Sequence, residues 1–279
     1  MIPEVRPERF GREGDELARF LLERAALRCG GARFRIEEVE LYLHAEGHPD
    51  PFVHCHPRQR TSGRWYFHRR GAGYRGGSFK GLDLTFGPPD TFGGALIRTL
   101  RRDDGRRFCG PSLSVDALLA AAGVAHPREL DDGRAVEDLA GSLVLGASRS
   151  RRAEVWRTAR VGLSLRRWDG REPLRPAYVM RTYRFVSDAA LPKGRVQTVL
   201  GLARAGLDLA AIVAATGCRP RTVERWLAAF ERGRREGELT RGERGGWSSE
   251  ELAWIHGAWL ARYGGLDTGA GAAGMLSET

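Results

Sequence analysis

The chain has 279 residues, a formal net charge of +10 and a sequence pI of about 10.1. No apolar run reaches the length of a membrane span and no signal-peptide pattern is present, so a soluble, cytoplasmic protein is expected. Its four cysteines, Cys29, Cys55, Cys109 and Cys218, are scattered without a CxxC pair, which reads as reduced thiols rather than a disulfide scaffold.

In chain order, residues 14–28 carry apolar positions at helical spacing and predict a first helix. Strands are expected over 33–43, 63–70, 79–86 and 93–101, interrupted by the glycine-rich segment Gly71–Gly81. A helix is expected after Gly110-Pro111-Ser112, running to about Ala122 behind a serine cap. Further strands are predicted over 141–146, 154–164 and 176–187. Many strands with few helices give an α+β fold class, a single domain over 1–193 built on a curved, mostly antiparallel sheet.

After Pro192-Lys193-Gly194 the pattern changes. Residues 196–206, 208–216 and 220–232 read as short helices sharing a core of Val199, Leu200, Leu209, Ile212, Val213, Val223, Trp226, Leu227 and Phe230. The stretch AATGCRPRTVERW places a glycine between two helices and Pro220 at a helix start, the pattern of a helix-turn-helix. Arg219, Arg221, Thr222 and Arg225 would then meet phosphates or base edges; a plain three-helix packing module is the other reading. A charged linker (Arg232–Arg244) and a last helix over 248–263 complete a domain of 194–263. The tail 264–279, rich in Gly and Ala, is expected to be disordered.

The run RIEEVELYL (Arg35–Leu43) puts Glu40 in a strand-like alternation two residues before Tyr42. A carboxylate on a rigid strand beside an aromatic ring suits a base that activates water next to a bound planar ring; a solvated surface charge is the bland alternative. Four further features follow in order: His54, ALIRTL (Ala95–Leu100), CGPSLSVDALL (Cys109–Leu119), and RVGLSLRRWDGREPLRPAYV with YRFVS (Arg160–Ser187). In that order and spacing the segments resemble the alkyladenine (3-methyladenine) DNA glycosylase family. The resemblance covers about residues 1–193 and is weak between Cys55 and Gly94.

The resemblance implies that Glu40 is the general base, with Arg98 and the Val186 carbonyl helping to hold the nucleophilic water. It makes Tyr42 the ring that stacks on a flipped base and His54 the contact on the base's opposite side. Phe79 or Tyr74 would be the wedge that intercalates in the DNA. Residue by residue, the alternatives are an ordinary ion pair for Arg98, a core tyrosine for Tyr42 and a loop histidine for His54. The family's second stacking ring falls near Gly76 or Gly77, and its screening asparagine near Phe86 or Gly87, in a chain that has no asparagine at all. The first departure suggests a larger pocket or a rebuilt loop, and the second a weakened screen against normal bases.

Arginine supplies 43 of the 45 basic residues, the exceptions being Lys80 and Lys193. Codon bias explains arginine over lysine; the excess of basic over acidic residues suits a polyanion partner. So few amines disfavour a Schiff-base lyase and favour simple hydrolysis by water. His44, His48, His54, Cys55 and His56 invite a zinc reading, but no CxxC or helical HxxxH frames them, so neither a metal nor any other cofactor is expected. The expected activity is that of a monomeric, monofunctional DNA glycosylase acting on double-stranded DNA, with a bulky hypermodified base of phage DNA, such as glucosylated hydroxymethylcytosine, as target in an antiviral role. The alternatives are an alkylated-purine repair glycosylase, a non-catalytic DNA-binding regulator, and an enzyme of free nucleosides or RNA.

Overall fold

A computed structural model describes residues 2–148, 154–165, 174–237 and 247–264. Contacts divide the chain into two units, one of Met1–His48 with Val53–Val155 and one of Pro49–Phe52 with the described residues of Trp156–Thr279. The division falls at Val155, not at the expected 193. Segment Pro49–Phe52 joins the second unit because Asp50 accepts a bidentate pair of hydrogen bonds from buried Arg160, at 2.7 and 3.2 Å.

The first unit opens with helix α1 (Phe10–Arg19), which widens into a π-helical turn (Phe20–Arg24) and then gives way to strand β1 (Ala25–Cys29). The expected helix over 14–28 therefore stops short. Ala25-Ala26-Leu27 favour a helix locally, but pairing on both sides overrides that preference. Strands β2 (Ala32–Ala45), β3 (Trp65–Phe67), β4 (Leu82–Phe86), β5 (Phe92–Arg102) and β6 (Arg107–Cys109) follow, then helix α2 (Pro111–Ala122) and strand β7 (Leu143–Ala147). All pairs are antiparallel, in the order β7-β1-β2-β5-β4-β3, with β6 on the far half of β5. The sheet curls until its two edges share a strap. Val136 N–H donates to the Gly63 carbonyl, Leu145 N–H donates to Val136, and the Trp65 indole donates to Leu143 on β7. Such bridging hides edge groups that would otherwise invite other chains.

One face of the sheet is closed by α1, whose Gly14 lies against Leu41 of β2. The α+β class with a large antiparallel sheet and a helical C-terminal region is thus what the molecule has.

In the second unit, strands β8 (Trp156–Thr158) and β9 (Arg184–Val186) form a short antiparallel ribbon. The strand expected over 176–187 is a correction: Leu174–Met180 is helix α3, and only Arg184–Val186 is extended. Fully buried Arg184 donates to Thr158 Oγ1, Thr198 Oγ1 and the Lys193 carbonyl, fixing the ribbon to α4 (Arg195–Arg204). Helices α5 (Leu209–Thr216), α6 (Pro220–Glu236) and α7 (Ser249–Tyr263) follow. Helix α6 outruns the expected 232. The rest of the expected linker (238–244) and the tail beyond 264 lie outside the described residues.

Helices α6 and α7 cross at two glycines. A Cβ on Gly257 would sit 1.9 Å from the Phe230 carbonyl oxygen, and one on Gly233 would sit 2.0 Å from that of Trp254. Nearby, His256 is buried with no hydrogen-bond partner at Nε2 among the described residues. Burial first, and then the charge of Arg204, holds its pKa down to about 4.

Two outcomes follow from this packing. Gly257→Ala should cost about 2 kcal/mol or more by prying the helices apart, whereas Gly11→Ala, with nothing within 4 Å, should stabilise α1 by about 0.5–1 kcal/mol. Thermal melts of both variants check the pair; a harmless Gly257→Ala contradicts the crossing. His256 titrates below its unfolded value of about 6.5. Its contribution is therefore fully present above that pH and is lost as pH falls toward 4, by about 3 kcal/mol in all. Urea melts of wild type and His256→Leu at pH 7 and 4.5 should differ in that direction; equal pH dependence would refute it.

Candidate functional site

The site is built at a flaw in the β2–β5 ladder. Register runs from Phe34 opposite Arg102 to His44 opposite Phe92, but it steps over Glu37 on β2 and over Arg98 on β5. Such irregularities re-aim side chains. Glu38 then faces Thr99, Glu40 faces Leu96, and the Arg98 side chain lies between the two glutamates. Arg98 Nε donates to Glu38 Oε1 at 3.2 Å and Nη1 to Glu40 Oε2 at 3.0 Å. Thr99 Oγ1 donates to Glu38 Oε2 at 2.6 Å. Glu38, Glu40 and Arg98 are 1, 4 and 7% exposed. Burial alone would lower the Arg98 pKa, but the charges of Glu40 and then Glu38 outweigh it and raise the value. Glu37, the residue stepped over, pairs instead with Arg101 and Arg107 at 2.5 and 2.7 Å.

The backbone of Arg98 is held from behind by the start of α2. Its carbonyl accepts from Gly110 N–H at 2.7 Å and from Ser114 Oγ at 3.2 Å. The expected serine cap is corrected here: Gly110 occupies the cap position at φ 126°, and no side chain caps the helix. That backbone suits glycine alone, which explains the GPS motif in physical terms. Ser112 reaches the other way and donates to the Gly77 carbonyl at 2.8 Å.

Residues directly opposite in an antiparallel ladder share a face. One row reads Glu40, Leu96, Asp83, Tyr66, and the next reads Tyr42, Gly94, Thr85. Two carboxylates, Glu40 and Asp83, therefore stand on one face two strands apart, about 10 Å at normal strand spacing. Between them Tyr42 lies across Gly94, where a Cβ would be 2.3 Å from its hydroxyl oxygen. That hydroxyl donates to Asp83 Oδ2 and accepts from Gln59 Nε2 at 2.7 Å. Burial, and then the charge of Asp83, raises the Tyr42 pKa well above its ordinary value. Tyr42 is 9% exposed, so its ring is a floor element with a committed hydroxyl.

Asp83 also pairs with His68 Nε2 at 2.9 Å, and His54 packs edge-on against His68 with ring centres 4.7 Å apart. His54 keeps an exposed edge, while the protein atoms around its ring, and then His68, push its pKa down to about 4. The imidazole is neutral at pH 7. The next residue, Cys55, adopts φ 50°, a conformation costing a non-glycine residue on the order of 1 kcal/mol and kept only where the surroundings dictate it. His48 is buried against the Leu43 carbonyl and His56 caps the turn Pro57–Arg60, so these histidines have separate tasks. Among the described residues, no three His, Cys, Asp or Glu side chains are grouped to hold a metal.

The two wedge candidates differ sharply. Phe79 stands 70% exposed on a short 3-10 turn (Gly77–Phe79), not on the strand expected from 79. Tyr74 is tied down: its hydroxyl donates to Asp131 at 2.7 Å and Arg69 lies 3.8 Å above its ring. Val186 falls on β9 of the second unit. In that unit Arg219, Arg221 and Arg225 are exposed at the start of α6 and Thr222 is half-buried; Arg225 pairs with Glu250 at 3.4 Å. The motif residues 166–173 lie outside the described residues.

Thr99, Gln59, His68 and Asp83 belong to this face and were not singled out in the sequence. Glu38 shares the parity of Glu40 and Tyr42, and Asp83 and Thr85 alternate with the apolar residues of LDLTF, so a signal existed for both strands. His68 and Gln59 carry no local signal.

No family model matches the chain. It is similar to an uncharacterized protein of Acanthamoeba polyphaga mimivirus, 36% identical over 138 residues, which is 44% of this chain and 64% of the viral protein. The chain spans less than two thirds of that relative's length. The viral protein's name assigns no activity.

Tyr42→Phe should destabilise the first unit by about 1–3 kcal/mol, because buried Asp83 and Gln59 both lose a partner. Chemical denaturation checks this; a change under about 0.5 kcal/mol would mean the hydroxyl is not the hub of the network.

Proposed function

We propose that the protein is a monofunctional DNA glycosylase that flips a modified base out of the duplex and hydrolyses its N-glycosidic bond. The observation that carries the reading is the buried Arg98 bridging Glu38 and Glu40. Burying two carboxylates with one guanidinium is a poor way to stabilise a fold, since desolvation offsets the attraction. A cluster of formal charge −1 on a rigid sheet face is useful to chemistry that develops positive charge, as an oxocarbenium-like sugar does. Glu40 takes a proton from water, the water oxygen bonds to C1′, and the C1′–N bond breaks with its electron pair leaving on the base. Arg98 fixes the carboxylate. Neither lysine suits a covalent route: Lys80 is paired with Asp116, and Lys193 precedes α4 in the other unit.

The target in this reading is a bulky, foreign base such as glucosylated hydroxymethylcytosine of phage DNA, and excision serves defence because abasic sites block replication. Supporting it, a Cβ at Gly76 or Gly77 would meet nothing within 4 Å, where the glycosylase resemblance places a stacking ring. Phe79, whose ring is exposed, takes the wedge role in place of Tyr74, whose hydroxyl is held by Asp131. Arg219, Arg221, Thr222 and Arg225 add phosphate contacts from α6.

Glu40→Gln keeps the shape and the Arg98 contact while removing the base. Release of modified base should fall by about 10²–10⁴-fold, with DNA affinity changed by less than roughly threefold. Single-turnover kinetics and a binding titration measure the two. Wild-type turnover in the variant would end the assignment.

A further inference from the structure

The second unit carries a cleft of about 800 Å³, and two of its wall residues, Arg219 and Thr222, are also among the DNA contacts proposed for α6. Its volume is in the range of small-molecule sites. It lies where the starts of α4, α6 and α7 converge, and its walls include Arg195, Gln197, Arg219, Thr222, Trp226 and Trp247. No acidic side chain lines it among the described residues, so the two guanidiniums give it net positive charge. Concave sites of one sign concentrate the opposite charge.

The decisive residue is Gln197. The chain has two side-chain amides, Gln59 and Gln197, and both are buried. Gln59 is fully engaged, donating to Tyr42 and accepting from His56 N–H. Gln197 is 7% exposed, lines the cleft, and makes no side-chain hydrogen bond among the described residues. Both amide atoms keep solvent contact, so the side chain's donor and acceptor are open to a ligand that enters the cleft. A carboxamide offers one donor and one acceptor side by side, which matches the edge of a heterocyclic base. Indole faces such as those of Trp226 and Trp247 stack on such rings. Guanidiniums bind phosphate.

The geometry points to a nucleotide site, with the base on Gln197 and the indoles and the phosphate on Arg195 and Arg219. A free mononucleotide and one nucleotide of a nucleic-acid strand share this chemistry. The inference does not rest on the glycosylase reading, since no residue of the sheet face takes part.

Calorimetric titration of the full chain with 5′-dAMP, deoxyadenosine, inorganic phosphate and a single-stranded DNA dodecamer tests it. 5′-dAMP should bind at least about tenfold more tightly than deoxyadenosine or phosphate, a difference of about 1.4 kcal/mol or more. Gln197→Met should weaken binding by about tenfold at unchanged melting temperature, and Gln197→Glu by more, through repulsion of the phosphate. If Gln197→Met melts early, Arg195→Ala at an exposed position serves as the second variant, with the same loss expected. A Gln197-dependent dodecamer signal without a 5′-dAMP signal supports the site and assigns its source to a strand. Phosphate binding as tightly as 5′-dAMP, affinity indifferent to Gln197 and Arg195, or no binding of any probe would each overturn the proposal.

Discussion

Arg98 holds two buried carboxylates on one face of a sheet, and much of the first unit is arranged to let it. A guanidinium can reach Glu38 and Glu40 together only because the ladder steps over it. A regular register would turn alternate side chains to opposite faces. The irregular backbone is then supported by Gly110 and Ser114 on its carbonyl, while Thr99 takes a further lone pair of Glu38. Each of these contacts offsets part of the desolvation cost that an isolated cluster would carry.

The rest of the face is shaped by what is missing from it. Gly94 has no side chain, so Tyr42 can lie over β5 and reach Asp83 on β4. Asp83 in turn orients His68, and His54 rests on His68 at the solvent side. A polar chain thus runs from the buried floor to an exposed, neutral imidazole. The curl of the sheet and the strap at Val136 remove the free edges that a flat sheet of this size would present. Stiffness of this kind is what preorganised catalysis requires.

Much of this was legible in the sequence. The alternation in RIEEVELYL gave β2 and ALIRTL gave β5; Arg98, a water-holding arginine in the resemblance and an ordinary ion pair in the other reading, donates directly to Glu40 at 3.0 Å. The three helices after Gly194 lie where their periodicity put them. What was not legible depended on distant partners. Residues 25–28 read as helix until β2 and β7 pair with them, and residues 176–180 read as strand because their apolar run lacks a clear period. The ladder irregularity leaves no local mark, so the joint hold of Arg98 on Glu38 and Glu40 could not be read from the sequence. His68 and Gln59 join the site only through tertiary contacts. The φ of Gly110, which displaces the expected serine cap, is set by the approach of α2 to Arg98.

A buried anionic cluster, an exposed aromatic ring and a basic chain together support the proposal that free base leaves DNA by hydrolysis. The most direct measurement is mass spectrometry of free bases, with alkali-labile site mapping, after the purified protein meets phage DNA bearing glucosylated hydroxymethylcytosine, alkylated DNA and unmodified DNA. The account predicts the free modified pyrimidine and alkali-labile sites from the phage DNA alone. Release only from alkylated DNA would contradict the defence target, and no free base from any of the three would contradict base excision itself.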